Sequence, residues 1–178
     1  MRWHKRGGGG GFDCSSCGQH HREMPLAFHS AAPVNWLLEA GLEHEPNSEL
    51  GSDQCVIRGE EFYVRGLVQV SVRDDIRVSE WGVWVSLSRE NFIRSGDLWD
   101  TDGRESEPPM FGWLSTALPT YTPATVHLRT MVHTREVGLR PLVVLEPTDH
   151  PLAIEQRDGI TAEVLERRVA QLLHPAPL

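Results

Sequence analysis

Between Gln54 and Leu87 apolar side chains recur at every second position, and that period restricts this stretch to extended strands with one buried face. Cys55-Val56-Ile57 leads into a turn at Arg58-Gly59-Glu60. Phe62-Tyr63-Val64 follows, then a run with Val68, Val70 and Val72 on one side. In Trp81-Gly82-Val83-Trp84-Val85-Ser86-Leu87 the odd positions face one way, and Trp84 and Ser86 face the other. Strands in such close succession read as an antiparallel meander. Arg65-Gly66 between two apolar runs predicts a bulge or tight bend. Val126 to His133 alternates again, with Val126, Leu128, Thr130 and Val132 inward, and Pro141 to Leu145 is short and apolar enough for a central strand.

Helical signals are fewer. Pro33 to Ala40 reads as a short helix ended by Gly41, its apolar side turned to the core. Ser88 is placed to cap a helix running towards Trp99, and Asp100 to Pro109 reads as a polar surface loop. Thr161 caps a last helix in which Val164, Leu165, Ala170, Leu172 and Leu173 line one side. The expected class is therefore α+β, mainly an antiparallel meander with a few packed helices. Residues 1–11, with five consecutive glycines, read as a flexible arm, and 12–178 as a single globular domain. Trp36, Trp81, Trp99 and Trp113 fall in apolar patterns and are expected in the core.

The net charge of −8 argues against broad binding to nucleic acid or anionic membranes, which need clustered cations. No apolar run is long enough to span a bilayer and no apolar leader is evident, so a cytoplasmic location is expected. Lys5 is the sole lysine among 17 basic residues, a bias of GC-rich bacterial genomes.

The chemical signal is Cys14-Ser15-Ser16-Cys17-Gly18-Gln19-His20-His21. Two thiols two residues apart with a glycine behind them form half of a zinc knuckle, the glycine letting backbone amides turn towards the thiolates. With an odd total of three cysteines, a metal in a reducing compartment fits better than a disulfide framework. Zinc needs four ligands. His21 and Cys55 are the candidates for the other two, His20 competing with His21 and His150 with Cys55. Two thiolates weaken zinc as a Lewis acid, so a structural ion is expected rather than a catalytic one.

A second polar segment runs from Thr148 to Ile160 and reads as a loop. Asp149 could orient His150, and Arg140 could hold an anion, the parts of general acid–base chemistry; His127 or His133 could join them near Trp84. The competing reading has His150 and Gln156 satisfying backbone groups in a buried turn. No nucleophile elbow, phosphate loop or dinucleotide fingerprint is present in the sequence.

Cys14-x-x-Cys17-Gly18 with His21 and Pro25, Ser52-Asp53-Gln54-Cys55, Phe62-Tyr63-Val64-Arg65-Gly66, Trp81-Gly82-Val83-Trp84-Val85, Phe111-Gly112-Trp113-Leu114, Gly138-Leu139-Arg140-Pro141 and Asp149-His150-Pro151-Leu152-Ala153 occur in that order. Together they resemble the bacterial family catalogued as domain of unknown function 2199. The resemblance runs from Phe12 to the last helix and implies no activity or substrate. The leading expectation is a zinc-braced module that binds a protein or small-molecule partner, with zinc held by Cys14, Cys17, His21 and Cys55. The alternatives are a hydrolase using Asp149, His150 and Arg140, and a thiol redox protein using Cys14 and Cys17.

Overall fold

The computed structural model describes residues 11–39 and 41–175; the expected arm lies almost wholly outside them. The chain opens with a small hairpin of β1 (Phe12–Asp13) and β2 (His20–His21). Then come β3 (Ala27–His29), the short helix α1 (Val34–Leu38), β4 (Glu49–Leu50) and β5 (Gln54–Ile57). Two long strands follow, β6 (Glu61–Ser71) and β7 (Val78–Leu87), and then α2 (Arg89–Asp97). The rest comprises β8 (Met110–Leu114), β9 (Arg129–His133), β10 (Leu142–Leu145), α3 (Pro151–Asp158) and α4 (Ala162–Leu173). The α+β class, dominated by antiparallel pairs, is as the alternation predicts.

β6 to β10 form an up-and-down meander that closes on itself as a five-stranded barrel. An odd number of alternating strands leaves the first and last running the same way. The closing pair is accordingly parallel, with Leu142 opposite Leu67, whereas every other neighbouring pair in the barrel is antiparallel. The long strands reach beyond the closed part. The first half of β6 pairs with β5, and the first half of β7 pairs with β3.

A barrel this narrow is filled by its own side chains. Val68, Val83, Val85, Leu114, Val132 and Val143 lie within it, all fully buried. Alternation sends Tyr63 and Trp84 to the outer face, where they meet Leu42, Cys55 and Ile57 in a second, smaller core. Leu165, Ala170 and Leu172 on α4 join the main core as the apolar stripe predicts, and Val169 joins them.

Four local expectations are corrected. Gly66 marks no bulge, because β6 and β7 pair without interruption from Phe62–Leu87 to Ser71–Val78. Its reason is close approach: a Cβ there would lie 2.6 Å from Val143 Cγ2 and 3.0 Å from the Pro141 carbonyl oxygen, at the closing seam. Gly66→Ala is therefore expected to lower stability by about 1–3 kcal/mol through overpacking, read as a drop in urea midpoint with an unchanged slope. α1 buries no residue, Leu37 and Leu38 being exposed, and only Trp36 packs on the smaller core. Trp99 and Trp113 are also exposed. Finally, the segment after Thr148 is largely helical. His150 is the N-cap of α3, with Pro151 at the first helical position, where a missing N–H costs nothing.

Candidate metal centre

β1 and β2 pair Phe12 with His21 and Asp13 with His20, so alternation puts the two neighbouring histidines on opposite faces. His20 Nδ1 meets the Asp13 carboxylate at 2.8 Å on the exposed face. His21 lies on the other face, stacked on the buried Phe12 ring at 5.1 Å. The loop between the strands is tied by the Gly18 N–H to the Cys14 carbonyl and the Cys14 N–H to the Gln19 carbonyl. That turn needs Gly18 at φ +69°, a left-handed conformation costly for any residue with a Cβ.

The hairpin brings Cys14 and Cys17 beside His21, and the end of α4 adds His174, which follows the helix as its C-cap. One ligand atom from each of the four lies within 4.8 Å of all the others. Cys17 Sγ and His21 Nε2 are 3.4 Å apart. A tetrahedral zinc with bonds of about 2.3 Å to sulfur and 2.0 Å to nitrogen requires an S–N edge of roughly 3.5 Å. Residue types and spacing thus fit a metal ion, and two thiols with two imidazoles suit zinc among the common ones. Burial raises the Cys14 thiol's pKa, but the backbone amides of Cys17 and Ser16 directed at its sulfur outweigh this and hold it below the ordinary value. The thiolate is the ligating form.

α4 is held in place by Arg168, buried on its inner side. The guanidinium pairs with Glu155 of α3 at 2.8 Å and lies 4.7 Å over the Tyr121 ring, while the Tyr121 hydroxyl donates to the other Glu155 oxygen. This clamp fixes where the helix ends and hence where His174 falls.

Cys55 is not part of the cluster. It sits in the smaller core opposite Tyr63, and burial followed by the nearby Glu61 charge pushes its thiol up to about 12, so it stays neutral. His174, rather than Cys55, is the fourth residue brought to the hairpin. Sequence spacing offered only weak notice of it: a histidine just past an apolar helix that had to dock somewhere.

The acid–base candidates lie apart. His150 Nδ1 accepts from the Leu152 N–H and its Nε2 donates to the Pro123 carbonyl, so both nitrogens serve the backbone. Asp149 is exposed. Gln156 bridges the Val143 carbonyl and the Leu145 N–H at the edge of β10. Arg140 pairs instead with Asp53 at 2.5 Å, beside a cavity that neither Asp149 nor His150 lines. His127 and His133 lie before and within β9, and Trp84 is buried in the smaller core.

A family model for uncharacterised proteins conserved in bacteria, DUF2199, matches residues 13–160. The chain belongs to DUF2199. Three residues of the cluster, Cys14, Cys17 and His21, fall inside the matched span, and His174 falls beyond it. No curated protein and no solved structure matches the chain. Among the described residues no helix is long and apolar enough to cross a membrane.

Proposed function

We propose that this DUF2199 protein is a zinc-braced binding module, in which Cys14, Cys17, His21 and His174 hold one structural zinc ion. The observation that carries the reading is the convergence of four ligand atoms of suitable chemistry from the two ends of the fold. Four protein ligands fill a tetrahedral shell and leave no position for water, so the ion serves architecture. It joins a hairpin of two residue pairs to the end of α4. A hairpin that small is marginal without help. With the metal in this role, the binding surface is to be sought on the barrel.

Elemental analysis of untagged protein tests the reading. Zinc is expected near one equivalent per chain, lost in Cys14→Ser and sharply reduced in His174→Ala. Cys55→Ser and His20→Ala are expected to keep it. Native protein without zinc, or zinc retained in Cys14→Ser, would overturn the proposal.

A further inference from the structure

Outside the barrel wall, over Leu67 and Glu80, lies a cavity of about 440 Å³, within the usual range of small-ligand pockets. Its rim carries three of the large apolar side chains that the fold leaves exposed: Trp99, Val137 and Leu139. They come from two separate segments, the end of α2 and the loop before β10. Apolar surface gathered round a concavity is a feature of ligand sites rather than of ordinary solvated surface.

The loop is held open by Arg104, which is 4 % exposed. Its five N–H donors all meet carbonyl oxygens, those of Leu98 and Trp99 on one side and of Arg135, Glu136 and Leu139 on the other. Being saturated, Arg104 shapes the cavity but offers it no donor.

Arg140 differs. Its Nε donates to Asp53 Oδ1 at 2.5 Å, and its two terminal nitrogens have no partner among the described residues although the side chain lines the cavity. Asp53 is already engaged: Ser52 Oγ donates to its other oxygen. Burial raises its pKa, but the Arg140 and Ser52 hydrogen bonds outweigh this and hold the carboxyl below its ordinary range. Behind it stands Arg65, whose guanidinium donates to the Ser30 and Ser52 carbonyls and whose Nε is buried without a partner. The Asp53 carboxylate is thus ion-paired with one guanidinium, that of Arg140. The remaining wall carries Arg135, Asp100 and Glu80, the last accepting from Gln69. The charged lining is balanced, Arg104, Arg135 and Arg140 standing against Asp53, Glu80 and Asp100, within a chain of net charge −8. A half-buried guanidinium that lines a cavity with both terminal nitrogens free offers a fork that matches a carboxylate.

We propose that this cavity binds a small molecule bearing a carboxylate on an apolar body, with Arg140 taking the carboxylate and Trp99, Val137 and Leu139 enclosing the body. The proposal rests on the binding-module reading and is independent of the metal.

Three probes with one body and three charges test it: phenylacetate, phenylacetamide and phenethylammonium, titrated into the zinc-loaded protein and followed by Trp fluorescence and ligand-observed NMR. Phenylacetate is expected to bind at least tenfold more tightly than the amide, and the ammonium least of all. Arg140→Gln should abolish the preference for the carboxylate over the amide. Val137→Asp, at an exposed rim position, should weaken phenylacetate and strengthen phenethylammonium, so a poorly folded Arg140 variant does not leave the idea unjudged. Equal binding of acid and amide, or a preference that survives Arg140→Gln in folded protein, would overturn the carboxylate proposal while leaving a binding role. No binding of any probe up to about 10 mM would overturn the cavity proposal and leave the module reading standing, on whose brace the zinc content of the same sample reports separately.

Discussion

Chelating the metal, or replacing Cys14 with Ser, is expected to lower the thermal midpoint of this DUF2199 protein by roughly 8–16 °C. The estimate combines about 4 kcal/mol of linkage at free zinc a thousandfold above its dissociation constant with roughly 2–4 °C per kcal/mol for a chain of this size. The physical reason is local. Phe12 and Cys14 are buried against the barrel core, yet the hairpin that delivers them has only two residue pairs. Without the ion, hydrogen exchange should rise in the hairpin and the last turn of α4, and stay slow in β6 and β7, which pair over ten residues. The stabilisation should shrink as pH falls, because thiolates and neutral imidazoles are the ligating forms and protons compete with zinc for them. A midpoint unmoved by chelation, or exchange that rises evenly through the barrel, would sink the brace.

Arg104→Gln is expected to cost about 3 kcal/mol, because an amide reaches at most two of the five carbonyls now served by a buried charge and leaves the others without a donor. That corresponds to a fall of roughly 6–12 °C in midpoint, measured by calorimetry. Arg104→Lys should fall between the two, having three donors and no fork. Since Arg104 joins the end of α2 to residues 135–139, both variants should also speed hydrogen exchange in those segments before the rest of the fold. A loss of stability spread evenly through the barrel would mean that Arg104 does not act as this tie.

Arg104 is a residue whose burial no local sequence pattern reveals. It lies in Asp100 to Pro109, a polar, acidic stretch whose composition says surface, and the arginine is buried for reasons that reside in carbonyls thirty residues downstream. Local period was a sound guide to β6, β7, β9 and α4, where one face meets the core. It could not reveal barrel closure, since the contact of Leu142 with Leu67 depends on the global path of the chain. The helix α3 has one local signal, Pro151 after a capping residue, and its apolar pattern is too weak to stand out. For the metal, the two cysteines and His21 were legible through the knuckle spacing. Cys55 suits a metal by residue type alone, and its alternation with Val56 turns it into an apolar layer.

His174 gives the centre a further property. The span that matches the family carries three of the four clustered residues, and the fourth comes from beyond it. His174→Ala would leave three candidate ligands, all on the small hairpin, with nothing from the last helix to complete a tetrahedral shell. One side chain at the tip of the last helix therefore decides whether the cluster has four members or three, and the matched span alone does not reveal which.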